Sequence, residues 1–368
     1  MSPLTPRPGI MDIQPYVGGE SKIPGVDRII KLASNEGALG PSPAAQRALE
    51  DEASHMHRYP DGSAHALRHA LGAHWGLDPE RIVCGAGSDE LLGLLCRAYA
   101  GPGDEVLYTQ HGFLMYPIAA RTAGATPVQA PETNLTADVD ALLAKVTDRT
   151  RIVFLANPNN PTGTYLPAAE MKRLRDGLPA GVLLVIDAAY AEFMTRNDYS
   201  PGVELVDAGE NVVMTRTFSK IYALGALRLG WAYCPASVAD VLNRVRNPFN
   251  VAAPSLAAGL AALKDVAFTD QSRDHNTEWR AWTTDECRAL GLEVPESHGN
   301  FILVRFPASG PHTAEAADGF LKGRGIIVRR MAGYGLPESL RVSIGAADEM
   351  QAFVGALTDF MTETRAAP

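Results

Sequence analysis

The chain has 368 residues, 46% of them hydrophobic and 20% charged, which is long enough for two domains with sizeable cores and too apolar for disorder. Its net charge of -9, with no run of Lys and Arg longer than two, excludes nucleic acid and anionic membrane as favoured partners and points to small molecules. Cys84, Cys96, Cys234 and Cys287 form no C-x-x-C pair, so neither a zinc site nor a disulfide scaffold is expected, and the cytoplasm suits them.

In chain order, "MSPLTPRPGIMDIQPY" has neither a basic leader nor an apolar signal core, and no apolar run reaches the length of a membrane span. A soluble, uncleaved chain is expected. Residues 1–40, rich in Pro and Gly, read as an arm. "HALRHALGAHW" sets His65 and His69 one helical turn apart, with His74 beyond. No third ligand or acidic base accompanies them at zincin-like spacing, so a solvated helix face is expected and no metal.

Between about residues 80 and 235 seven short apolar runs alternate with amphipathic stretches: "RIVCG", "EVLYT", "TPVQA", "RIVFLA", "VLLVID", "VVMTRT" and "LGWAYC". That alternation predicts an α/β domain over residues 41–250, built on a seven-stranded, mostly parallel sheet. After residue 250 long helical patterns are broken by isolated strands, "FILVRF", "IIVRRM" and "SLRVSIG", and closed by "ADEMQAFVGALTDFMTET". A smaller α+β domain over residues 251–368 is expected.

Ligands of an open α/β sheet collect at the carboxyl ends of its strands, so the residues delivered there matter most. "RIVCG" runs into "AGSDELLGLL", where Gly85 and Gly87 let backbone approach a ligand and the amides of Gly87, Ser88 and Asp89 open a helix as an anion site. "RIVFLA" runs into "NPNNPTG", beginning with Asn157. "VLLVID" ends on Asp187, with Tyr190 three residues on. "VVMTRTF" ends on Ser219 and Lys220, with Arg228 following. Lys220 has no neighbouring carboxylate in "IYALGALRLG", and an ammonium at such a strand end is costly unless paired, neutral or covalently used.

Taken singly these residues have plain structural readings: a snorkelling lysine, a cap, a turn former, a core aromatic, an ion-pair arginine. "GAGSDE" alone also resembles a weak dinucleotide turn, but the acidic residue that such a fold wants at the end of its second strand is missing, since Asp104 and Glu105 stand at the start of "VLYT". Convergence on one sheet edge changes the weighting. An anion cradle, a carboxylate, a phenol, an amide and a lysine together suit pyridoxal 5'-phosphate, whose aldehyde a lysine captures as a Schiff base.

"ANPNNPTG", "VIDAAYAEF" and "TFSKIYALGALRLGW", in that order and spacing, resemble the aminotransferase family of the aspartate aminotransferase fold, the pyridoxal phosphate-dependent fold type I, over nearly the whole chain. "QPYVGG", "LASNEGALGPSP", "RYPDGSAHALR", "GAGSDELL", "NFILVRF" and "GIIVRRMAGYGLPESLRVSIG" are similar to the histidinol-phosphate aminotransferase subfamily. The resemblance implies that Lys220 holds the cofactor and shuttles the substrate proton, and that Asp187 pairs with the ring nitrogen. Asn157 and Tyr190 would hold the ring oxygen. Ser219, Arg228 and the amides of Gly87 and Ser88 would hold the phosphate, with Asp89 and Thr217 beside them, and Phe113 would stack on the ring. Tyr59 would reach the phosphate from a neighbouring subunit, which implies a homodimer with a shared active site.

On the substrate side the resemblance implies carboxylate capture by Arg341, whose guanidinium fork suits a carboxylate. Arg329 would meet the phosphate of histidinol phosphate, with Tyr16 of the partner subunit and Asn35 nearby. The adjacent Arg330 leaves that assignment open, and "MAGYG" also occurs in relatives that act on aromatic amino acids. The implied reaction joins an amino donor to a 2-oxo acid acceptor: histidinol phosphate with 2-oxoglutarate, running ping-pong through a pyridoxamine form. Phenylalanine or tyrosine transamination is the alternative. A decarboxylase of an amino-acid phosphate fits less well, because its substrate carboxylate must leave, and a cofactor-sensing regulator would want a basic DNA-binding extension that residues 1–40 do not offer.

Overall fold

A computed structural model describes residues 4–25 and 28–363 of the chain. The seven apolar runs become β2 (Ile82–Gly85), β3 (Glu105–Thr109), β4 (Thr126–Ala130), β7 (Thr150–Ala156), β8 (Leu183–Asp187), β9 (Val212–Thr217) and β10 (Gly230–Tyr233), after β1 (Ile30–Lys31) and around a small hairpin of β5 (Glu132–Thr133) and β6 (Thr136–Ala137). They form one sheet in the order β2-β10-β9-β8-β7-β3-β4. β4, β3, β7, β8 and β9 pair in parallel. Only β10 runs against its two neighbours.

The central strands read as unbroken apolar runs because both faces of the sheet are covered. Alternate residues serve opposite cores. Val153, Leu155, Leu184, Ile186, Val212 and Met214 face one apolar cluster, and Ile152, Phe154, Val185 and Val213 face the other. The register pairs Ala156 with Asp187 and Asp187 with Thr215. The polar residues that follow three neighbouring strands therefore emerge at one level along the sheet edge.

The C-terminal region has its own antiparallel sheet, β11 (Phe301–Arg305), β14 (Ser339–Ser343) and β13 (Arg329–Arg330), in that order. A separate apolar cluster, including Ile302, Val304, Val342, Phe353 and Leu357, lies under it. Two expectations are modified here. "IIVRRM" is not one strand, because Ile326–Ile327 forms β12 and pairs with β1 while Arg329–Arg330 turns to pair with β14. The last part of the expected arm accordingly joins this region, with Leu32 buried in its cluster. Among the described residues no helix is long and apolar enough to cross a membrane.

Candidate active site

The carboxyl ends of the parallel strands open on a cavity of about 280 Å³. Ser88, Asp89, Phe113, Asp187, Tyr190, Thr217, Ser219, Lys220 and Arg228 line it, together with Tyr16, Asn35, Arg329 and Arg341. One end is an anion cradle. The helix Ser88–Tyr99 starts immediately after Gly87, which holds φ +85, and a Cβ there would lie 2.5 Å from Arg228 Nη2. Glycine alone combines that backbone with that approach. The first amides of the helix have no helical carbonyl to bond, and its dipole adds positive potential. Arg228, itself at a left-handed φ of 50, donates to Gly225 O (3.0 Å), Asp89 Oδ2 (3.2 Å) and Ser219 Oγ (3.4 Å).

At the centre Lys220 Nζ donates, among the described residues, only to the carbonyls of Asn35 (3.3 Å) and Ser34 (3.4 Å). Among the described residues no carboxylate lies within ion-pair reach of it. Burial, reinforced by the Arg341 guanidinium, brings its pKa down to about 8, so a useful fraction is neutral amine near physiological pH. Asp187 shows the complementary strain. Burial raises its carboxyl to about 6, although Tyr116 Oη donates to it at 2.9 Å and Thr215 Oγ1 at 3.4 Å. Both donors are neutral, so the carboxylate still wants a cation. Tyr116 is held for this task by stacking on Phe154, with centroids 4.6 Å apart and planes 9° from parallel.

Opposite stands Arg341, on β14. Its Nη1 donates to Asn160 Oδ1 (2.5 Å) and its Nη2 to Ala33 O (2.8 Å), while its Nε is buried with no partner among the described residues. A buried donor left over in a cavity wall fits a ligand acceptor such as a carboxylate. An anion cradle, an uncompensated carboxylate, an amine of lowered pKa and this donor match the phosphate, ring nitrogen and aldehyde of pyridoxal phosphate and a substrate carboxylate.

Residues 27–357 match the family model for aminotransferase class I and II. The chain belongs to that family. It is 67% identical over 361 residues to a histidinol-phosphate aminotransferase of Paramagnetospirillum magneticum, covering 98% of this chain and 99% of that one. A second, from Rhodospirillum rubrum, is 64% identical, with 97% and 96% covered. The solved histidinol-phosphate aminotransferase of Sinorhizobium meliloti, in complex with pyridoxal-5'-phosphate, superposes with a TM-score of 0.89 at 29% identity, over 99% of this chain and 98% of that one.

Within this aminotransferase cleft some expected residues stand elsewhere. Asn157 does not face the cavity. Fully buried, it accepts from Leu166 N (2.8 Å) and donates to Leu166 O (3.0 Å) and Met171 Sδ (3.0 Å), which ties together the two ends of the "NPNNPTG" loop. Asn160, three residues on, lines the cavity instead. It was missed because each asparagine precedes a proline, at Pro158 and Pro161, and spacing does not distinguish them. Asn157→Ala is expected to lower unfolding free energy by about 2–3 kcal/mol, because it strands two buried backbone groups. Asn160→Ala should change it by less than half as much and instead raise the KM for glutamate; denaturant melts beside steady-state kinetics check both.

Two further placements differ from expectation, those of Gly87 and Tyr16, and a third residue, Tyr59, stands apart from its own chain's cleft. The amide of Gly87 is already donated to Gly85 O at 2.8 Å, so the amides open to an anion are those of Ser88 and Asp89. Tyr16 lines the cleft of its own chain, edge-on to Phe113 at 6.4 Å. Tyr59 is 84% exposed and stacks on Phe249 at 4.8 Å, outside its own chain's cavity. Between the two candidate arginines the geometry discriminates: Arg330 turns out to Glu315 at 2.8 Å, while Arg329 lines the cavity and donates to Val17 O at 2.6 Å.

Proposed function

We propose that this aminotransferase uses pyridoxal 5'-phosphate to convert L-histidinol phosphate and 2-oxoglutarate into imidazole acetol phosphate and L-glutamate, a step of histidine biosynthesis. The observation that carries the substrate is a pair of like charges. Arg329 and Arg341 are direct cross-strand partners, an arrangement that costs stability unless anions come between or beside them. A substrate bearing two anionic groups, or bearing one in each half-reaction, would offset that cost, and the full-length relatives are histidinol-phosphate aminotransferases.

The bound cofactor supplies an aldehyde for amine capture and a ring that withdraws electrons from the substrate Cα–H bond. The chain's residues do the rest. Lys220 Nζ, released from the Ser34 and Asn35 carbonyls, would take the proton from Cα and deliver it to the carbon that carried the aldehyde, as an amine of pKa about 8 can near neutral pH. Asp187 keeps the ring nitrogen protonated. Tyr190 and Asn160 hold the ring oxygen, Ser219, Arg228 and the helix amides hold the phosphate, and Phe113 forms a wall against the ring. Arg341 orients the α-carboxylate of glutamate, while Arg329 and Tyr16 take the phosphate of the other donor.

We read the enzyme as a cytoplasmic homodimer, with a large domain over 41–250 and a small one over 251–368, in which the exposed Tyr59 serves the neighbouring cleft. Support comes from its position outside its own cavity, stacked on the exposed Phe249. The test of substrate is Arg329→Ala. Its kcat/KM for histidinol phosphate should fall about 10- to 100-fold, the loss of a charged hydrogen bond of about 1.5–3 kcal/mol. Glutamate and phenylalanine should change far less. Arg330→Ala is the control, and equal losses on all three donors would reduce Arg329 to a support of the fold.

A further inference from the structure

Tyr190 can serve a ring oxygen in two ways, as acceptor or as donor, and what decides between them lies behind it. Asn35 is 1% exposed and sits at a left-handed φ of 53, which asparagine tolerates better than other side chains. Every polar group it owns is engaged. Its backbone N–H donates to Ser343 Oγ at 2.7 Å. The Ser343 hydroxyl is buried, and the acceptor for its proton is Asn35 Oδ1, 3.0 Å away. The oxygen of the amide is thereby identified, and the group turned toward Tyr190 Oη at 2.9 Å is the NH₂.

We propose that Asn35, with its amide oriented by Ser343, is the positioning residue that makes the Tyr190 phenol a hydrogen-bond donor toward the cofactor's ring oxygen. A phenol that accepts an N–H from behind keeps its own proton for the cleft. The same residue offers its carbonyl to Lys220 Nζ, and Asn300 Nδ2 clamps that carbonyl (3.1 Å) and the next (3.0 Å). Asn35 is therefore the link by which β14 of the C-terminal sheet orients two groups at the edge of the large sheet. This assignment rests on the proposed role of Tyr190.

The test is a spectroscopic titration of the protein loaded with pyridoxal phosphate. A donor at the ring oxygen favours its anionic form, so losing the donor moves the titration of the visible band to higher pH. Asn35→Gly keeps the positive φ and the carbonyl to Lys220 and removes only the amide. It should raise the apparent pKa by about 0.5 to 1 pH unit, the scale of one hydrogen bond. Ser343→Ala should move it the same way. Tyr190→Phe should move it further, and Asn35→Gly should add nothing in that background. The charged and titratable groups around Tyr190, namely Arg341, Tyr334, Asp187 and Lys220, are unchanged in all these variants. A wild-type titration in Asn35→Gly, or an equal extra shift on top of Tyr190→Phe, overturns the role of Asn35 alone. No shift in Tyr190→Phe strikes the cofactor reading of Tyr190 and the inference with it.

Discussion

Lys220→Ala is expected to lower turnover by about 10⁴-fold or more, the upper end of what one positioned acid–base group contributes, while the anion cradle still binds the cofactor. Borohydride reduction of the loaded wild type should fix the cofactor to the peptide containing Lys220, and labelling of another lysine would refute the assignment. The cofactor-free protein offers a second reading. Burial holds the folded pKa of Lys220 at about 8 against an ordinary 10.5. Between those values the unfolded chain carries more protons, so wild-type stability rises with pH. The burden of the buried charge is complete below about pH 8 and gone above 10.5. Lys220→Met should therefore melt higher than wild type at pH 7, by a margin that closes as pH climbs through that window. A margin that does not change with pH would mean that packing, not charge, sets it.

Asp187→Asn should cost about 10²- to 10³-fold in kcat, as for other preorganised electrostatic groups worth roughly 3–4 kcal/mol. The substitution preserves shape, and its amide oxygen can still accept from Tyr116. What it removes is the charge in a pit whose other donors, Tyr116 and Thr215, are neutral. Burial raises the carboxyl to about 6 in the cofactor-free protein, and a ring cation beside it would draw that value down again, so the difference between Asp and Asn should be fully expressed at neutral pH and above. Near-normal kcat for Asp187→Asn at pH 8 would make the residue a structural acceptor only.

The seven strands of the large sheet were legible because central parallel strands, covered on both sides, must be apolar at every position, and length and turn residues then mark their ends. For the same reason Asp187 and Lys220 could be singled out: each follows such a run directly, where a charge has no local explanation. The arginine pair was legible only as two arginines. That Arg329 stands opposite Arg341 depends on "IIVRRM" changing partners at Val328, from β1 to β14, and nothing local marks a strand that pairs with two sheets. Asn157 and Asn160 share one motif and one neighbour type, and folding separates them because Leu166 returns to close the loop on the first. Tyr116 has no local mark of a role, because its partner, Asp187, lies 71 residues away. The amide of Asn35 is oriented by Ser343, 308 residues along the chain. Period, burial and strand ends are written locally, since they follow from each residue's transfer between water and core. Which of two like side chains faces the cleft, and which way a polar group donates, is decided by partners that only packing brings within 3 Å.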